Sequence, residues 1–156
     1  MWNSFYEQFI TYDGYKIVLQ GLLNTMIIAL VGLVIGIVIG TIVAVIHVAG
    51  TRNKVARVFA VVGDVYTTIF RGTPIVVQLL VFHFVLFPLM RLNVPGVWES
   101  VLVFGLNSGA YVSEIMRGGI QSVDVGQLEA GRTLGLSFTV TMVKIVFPQA
   151  IKNVIP

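Results

Sequence analysis

Met26 to Ile46 reads MIIALVGLVIGIVIGTIVAVI, a run of 21 residues in which only Thr41 carries a polar side chain. As a helix rising 1.5 Å per residue it is about 30 Å long, the hydrocarbon thickness of a bilayer, so the run predicts a membrane-spanning helix. A secretory signal peptide would show a shorter apolar core of about 7–15 residues, behind a basic start and before a small-residue cleavage site. Those features are not found here, and the segment is expected to be retained. Gly32, Gly36 and Gly40 recur every four residues on one face, where missing side chains let another helix come close. The bulk composition agrees: 56% of the 156 residues are hydrophobic and 11% charged, with a mean hydropathy of +0.93, against about 25% charged residues in soluble domains.

The 156 residues make one domain, and without cysteine there is no disulfide framework and no thiolate metal site. The net charge of +3 is small and its basic residues are scattered through loops, which argues against a nucleic-acid partner. Upstream of the first span, Trp2, Phe5, Tyr6, Phe9 and Ile10 recur at three- and four-residue spacing, an amphipathic pattern rich in the aromatics that favour the headgroup region.

A second apolar region extends from Val55 to about Phe87, interrupted by Asp64, Arg71, Gly72 and Pro74. It reads as an interfacial lead-in followed by a span. Proline lacks an N–H and disfavours helix at the residue before it, and in lipid any freed carbonyl needs an internal partner. Arg71-Gly72-Thr73-Pro74 therefore marks a break near a cavity or an interface. Asp64 and Arg71 stand two helical turns apart and are expected on one face, where an ion pair would lower the cost of both charges.

The third candidate span runs from about Val97 to Met116, with Asn107, Ser108 and Gly109 at its middle. Polar groups at that depth face a partner helix or an aqueous path; for Asn107, Ser108 and Gln78 both readings stand, an interhelical hydrogen bond and a place on a substrate route. His83 reads as a packed or hydrogen-bonded histidine, since no second histidine or carboxylate stands at metal-ligand spacing.

Arginine and lysine counts give the orientation. Arg52, Lys54 and Arg57 follow the first span and Arg117, Arg132, Lys144 and Lys152 follow the third, against Lys16 and Arg91 on the other side. By the positive-inside rule the amino terminus is expected outside, and the segment of about residues 122–148 in the cytoplasm. That segment is polar. Asp124 can cap a helix starting near Val125, with Gln127 reaching back. Gly135 can end that helix in the left-handed region, Ser137 can cap a second one, and Pro148 is expected to disrupt its continuation.

Within this helix-turn-helix stand Glu129-Ala130-Gly131-Arg132-Thr133-Leu134-Gly135 and, nine residues further, Ile145-Val146-Phe147-Pro148. The spacing resembles the E-A-A, three residues, G, nine residues, I-x-L-P coupling loop in the membrane subunits of ATP-binding-cassette (ABC) importers. Phe70-Arg71-Gly72-Thr73-Pro74, Gln78, and the stretch from Gly109 to Ile120 are similar to segments of permeases of the polar amino acid uptake subfamily, so the resemblance covers most of the chain. It implies an all-α, polytopic transmembrane bundle of the ABC type I importer membrane-domain kind, with a cytoplasmic coupling helix-turn-helix. It also implies an identical or related permease subunit alongside, an extracytoplasmic substrate-binding protein, and a nucleotide-binding ATPase subunit. The chain would bind no cofactor, Mg-ATP residing on the ATPase. Glu129, Ala130, Gly131 and Gly135 would be the coupling contacts, with Ile145 and Pro148 shaping the second helix. Gln78, Asn107, Ser108, Arg71 and Asp64 are candidates for the path of a polar amino acid.

Three departures accompany the resemblance, one of them Phe147 where the pattern has leucine. Gly131 replaces the second alanine of the pattern, and a glycine inside a helix costs about 0.5–1 kcal/mol relative to alanine, so the first coupling helix is expected to be less rigid. The chain also stops at Pro156, soon after the motif, and is expected to be truncated relative to members that continue through further spans. Enzyme chemistry finds no support: there is no H-E-x-x-H and no G-x-x-x-x-G-K-[ST] phosphate loop. The alternative is a structural membrane subunit or channel without ATPase coupling, which accounts for the hydropathy and the glycine stripe but not for the loop spacing.

Overall fold

The computed structural model describes Ile10, residues 13–50 and residues 54–155, and among them every regular element is a helix. The interfacial reading of Trp2, Phe5, Tyr6 and Phe9, and the position of Arg52, lie outside the described residues. In chain order come α1 (Gly14–Gly50), α2 (Lys54–Gly72), α3 (Ile75–Val81) and, after a π-helical turn at Phe82–Leu86, α4 (Phe87–Leu89). Then follow α5 (Gly96–Gln121), α6 (Val125–Thr133) and α7 (Phe138–Thr141), which passes through a second π turn, Met142–Val146, into α8 (Phe147–Val154).

The 37 residues of α1 contain the expected span and overshoot it at both ends, for a length of about 55 Å. Its glycine face is packed as expected. A Cβ on Gly36 would stand 2.5 Å from the Ser108 Cβ, one on Gly40 2.7 Å from the Gly109 carbonyl oxygen, and one on Gly105 2.8 Å from the Ile35 Cγ2. The α1 and α5 backbones thus approach along a line where no side chain fits, which maximises dispersion contact in a medium where apolar burial gives helices little reason to associate.

By length and apolarity α1 qualifies as a span by itself, and α2 qualifies jointly with the helix through Leu89, across a bend of 109°. The break predicted at Arg71-Gly72-Thr73-Pro74 is there: α2 ends at Gly72, and Pro74, at φ −62° and ψ 137°, precedes the first residue of α3. The third expected span is there as α5, 26 residues long, and Glu99, Asn107, Ser108, Glu114 and Arg117 make it more polar than α1. Val103, Gly109, Ala110 and Ser113 on this helix are buried, and the elements packed on it are chiefly α1, α8 and α2. Its polarity is satisfied inside the bundle. The large side chains facing outward are apolar instead, among them Ile17, Leu22, Val34, Phe59, Val77 and Phe84, the arrangement of a protein whose outer solvent is lipid.

Pro148 disrupts the second loop helix as expected, but through a π turn before it and without ending the helix. The Phe147 N–H donates to the Met142 carbonyl across the wider π turn, and the helix runs on to Val154. A proline in an α-helix clashes with the carbonyl four residues earlier; a π turn just before it opens that space. The same device precedes Pro88, where the Phe87 N–H donates to the Phe82 carbonyl. Beyond its π turn α8 doubles back on α5. A Cβ on Gly119 would stand 2.9 Å from the Ala150 carbonyl oxygen, and Asn153 Nδ2 donates to Ser122 Oγ at 2.9 Å. Ala44, Met116, Ile120, Met142, Val146 and Ala150 form the buried core at this end.

Candidate functional site

Two polar regions stand out: the break between α2 and α3, and the α6–α7 loop. At the break the helix leaves the Phe70 and Thr73 carbonyls without helical donors. Gln78 Nε2 reaches back from α3 to Phe70 O (2.8 Å), Thr73 O (3.0 Å) and Thr73 Oγ1 (2.9 Å). Asn107 Nδ2, from α5, donates to Phe70 O (3.1 Å) and to Gln78 Oε1 (3.2 Å). Gln78, 7% exposed, and Asn107 are therefore brought together, and their hydrogen bonds are spent on closing the break. Ser108 is not part of this group; it faces α1 at Gly36.

The charges were expected to pair within α2, and they do not. Two helical turns separate Asp64 from Arg71 by about 10 Å of rise, and α2 meets a different neighbour at each end. Asp64 Oδ1 lies 3.4 Å from His47 Nδ1 of α1. Arg71 Nη1 lies 3.5 Å from Glu114 Oε2 of α5, and its guanidinium stacks over Tyr111 at 5.6 Å from the ring centre. Glu114 Oε2 also accepts from Arg117 Nη2 at 2.5 Å. Sequence reasoning missed Glu114, Arg117, Tyr111 and His47, although the three-residue spacing of Glu114 and Arg117 on one helix could have flagged that pair. In the first turn of α5, the buried Glu99 (4% exposed) contacts His83 Nδ1 at 2.9 Å, so His83 is a hydrogen-bonded histidine as expected. Among the described residues no cluster of three metal-ligating side chains exists.

In the loop, Asp124 Oδ1 accepts from the Gly126 N–H at 2.6 Å and caps α6, a bond of about 1 kcal/mol; Gln127 contributes its backbone N–H, to the Asp124 carbonyl. At the other end the Leu136 N–H reaches the Gly131 carbonyl (3.0 Å) and the Gly135 N–H the Arg132 carbonyl (2.9 Å), with Gly135 at φ +79°. This is a Schellman closure, which needs a left-handed residue where glycine stands. Ser137 Oγ then accepts from the Val140 N–H at 3.4 Å and starts α7. Glu129 and Ala130 on α6, and Gly135 just after it, are exposed. Ile145 lies half-buried in the π turn and Pro148 is exposed in the first turn of α8.

Gly131 corrects the sequence reading. It is buried, and a Cβ there would stand 2.5 Å from Thr141 Cγ2 and 2.8 Å from Thr141 Oγ1, while Thr141 itself is fully buried. The glycine is a contact point between the two loop helices and not an exposed docking residue, and its missing Cβ lets them approach closely. Gly131→Ala is accordingly expected to destabilise by about 1–3 kcal/mol through overpacking, and Thr141→Ala in the same chain to recover most of that loss. Thermal melting of the three variants in detergent checks this; strictly additive effects would refute a shared contact.

Between α6 and the ends of α1 and α5 lies a mostly apolar cavity of about 260 Å³, bordered by Val48, Ile120, Val125, Leu128, Met142 and Val146. α6 is thus held through α7 and the π turn more than by direct packing on the bundle.

Residues 36–156 match the family described as binding-protein-dependent transport system inner membrane component. An arginine transport system permease protein, ArtQ of Bacillus subtilis (strain 168), is 44% identical over 64% of this chain and 46% of its own length. A putative glutamine transport system permease protein, GlnP of Rickettsia prowazekii (strain Madrid E), is 39% identical over 93% of this chain and 64% of its own length. A solved structure described as a crystal structure of an amino acid ABC transporter with histidines is 34% identical, covering 95% of this chain and 67% of that one, at a TM-score of 0.73. The chain spans between 46% and 64% of the length of these two permeases.

Proposed function

This chain belongs to the family of binding-protein-dependent transport system inner membrane components, and from that premise we propose that it forms part of the translocation path of an ATP-driven importer of polar amino acids. It is a membrane transport component and not an enzyme. The observation that carries the proposal is the α6–α7 loop, a helix pair closed by Gly135 in the left-handed region that leaves Glu129, Ala130 and Gly135 exposed. In this reading the amino terminus is extracytoplasmic and the loop cytoplasmic, docked on a nucleotide-binding ATPase that holds Mg-ATP. A second permease subunit, identical or related, completes the path in the lipid, and an extracytoplasmic binding protein delivers the amino acid. Names of relatives favour this cargo class, since they specify arginine and glutamine transport.

The geometry supplies a route for force. A displacement of α6 passes to α7 at the Gly131–Thr141 contact, through the π turn into α8, and onto α5 where Ala150 meets Gly119. α5 carries Asn107, which bonds the broken α2–α3 span. Rotating one helix therefore reaches the break at the middle of the bundle, and the cavity under α6 leaves room for the first movement.

Co-purification from detergent with the candidate ATPase tests the proposal. Glu129→Lys reverses charge on the exposed face of α6. Gly135→Arg meets no neighbour within 4 Å but is strained at φ +79°, by about 1 kcal/mol. Both are expected to lower ATPase capture at least tenfold while the purified chain still elutes as a folded species. Capture undiminished in both would refute the loop as the docking element.

A further inference from the structure

Arg71 is a charged group at the helix break that the fold holds only loosely. Its only charged neighbour among the described residues is Glu114, at 3.5 Å, and that same carboxylate oxygen already accepts from Arg117 at 2.5 Å. Asp64, the other carboxylate on α2, turns to His47. No hydrogen bond from the Arg71 guanidinium is made among the described residues, and its side chain is 42% exposed beside Tyr111, itself 48% exposed. It follows Phe70, whose carbonyl is tied to Asn107 near the middle of α5, so it sits in the last turn of α2, at the break of the broken span. A guanidinium inside a membrane bundle is costly unless an anion accompanies it, and its planar fork of donors matches a carboxylate in a two-bond geometry.

We propose that Arg71, backed by Tyr111 and Glu114, is the site that reads the α-amino acid head group of the cargo: Arg71 binds the α-carboxylate and Glu114 the α-ammonium. This deepens the permease reading and rests on it. Arg117 holds Glu114 in place from the next turn of α5, so the acceptor and the donor fork are fixed by different helices, α5 and α2, and a ligand carrying both charges bridges them. The 3.5 Å separation is a loose ion pair that a zwitterion can open without leaving either charge alone. The head group is common to amino acids whatever their side chain, so the site sets the class of cargo and leaves the side chain to be read elsewhere.

The test uses the assembled transporter in phosphatidylcholine nanodiscs, without binding protein, and measures equilibrium binding of L-arginine and L-glutamine against L-argininamide and L-glutaminamide, in which the α-carboxylate is replaced by a neutral amide. Wild type is expected to favour each acid over its amide at least tenfold. Arg71→Gln is expected to bring that ratio close to one with little change in amide binding, and Arg71→Lys to keep part of it. Glu114→Gln is expected to weaken acid and amide alike, because both keep the ammonium; a purely structural role for either residue would lower the melting temperature without moving the ratio. An unchanged ratio in Arg71→Gln overturns the assignment, as does loss of amino acid binding when phosphatidylglycerol is added, which would make a lipid head group the anion at Arg71. No amino acid binding by wild type at all would refute the permease reading together with it, whereas binding with no preference for the acid refutes only this site.

Discussion

Gly36→Leu is expected to prevent α1 and α5 from packing, and with them the whole chain from yielding a monodisperse species in detergent. Even a single methyl group at Gly36 would fall 2.5 Å from the Ser108 Cβ and 3.1 Å from the Gly109 nitrogen, and the second of these is backbone that cannot swing aside. Overpacking of this kind costs about 1–3 kcal/mol for modest additions, and a branched side chain against backbone forces the helices apart along the entire stripe, so that the contacts at Gly32, Gly40 and Gly105 are lost together. Gly21, on the same helix, meets nothing within 4 Å, so Gly21→Leu should behave as wild type. Size-exclusion profiles and melting curves of Gly36→Ala, Gly36→Leu and Gly21→Leu give the ordering; a Gly36→Leu chain as stable as the Gly21→Leu one would mean that the crossing does not hold the bundle.

The second large effect is expected at the helix break. Gln78→Leu removes the donor to Thr73 O and one of the two donors to Phe70 O. An unsatisfied buried polar group costs about 1–3 kcal/mol, and lipid offers no water to replace the partner. Asn107→Leu should cost less, because Gln78 Nε2 still serves Phe70 O. The double variant should cost about as much as the sum or more, since the last donor to Phe70 O is then gone. Urea or thermal unfolding of the three chains would check the order; Asn107→Leu proving worse than Gln78→Leu would contradict the assignment of Gln78 as the principal closure of the break.

Features encoded within one segment were legible in the sequence. The 21-residue apolar run, the Arg71-Gly72-Thr73-Pro74 break, the Asp124 and Ser137 caps and the Gly135 stop each depend on residues within a few positions of one another, and each is where it was expected. Features that depend on which element a face meets were not. Asp64 and Arg71 share the helix spacing that suggested a pair, but whether a side chain finds α1 or α5 is decided by the path of α2 and not by spacing. Gly131 looked like lost propensity because Thr141, ten residues on, gives no local sign of filling the vacated space. That Pro148 disturbs the helix was legible, but the form of the disturbance was not, because the π turn is an additional residue upstream, which a residue-by-residue reading of proline does not register. Among the candidates for a substrate path, polarity at membrane depth singled out Gln78, Asn107 and Ser108 but did not say which would meet, nor whether their bonds are held for a ligand or consumed by the backbone; Gln78 and Asn107 meet, and the backbone consumes their bonds.

A π turn closes its hydrogen bond over one residue more than an α turn does. The helix beyond it is consequently turned by about 100° relative to an uninterrupted α-helix, the rotation of a single residue. Between Ser137 and Pro148 that offset decides which side of α8 meets α5. Chain length in this interval therefore acts as a ruler: a relative that lost one residue there could close the turn into ordinary helix, keep nearly every side chain type, and present Ala150 to the wrong neighbour. The nine residues separating Gly135 from Ile145 are in this sense a count that the bundle reads, and substitutions within the interval are less consequential than insertions or deletions.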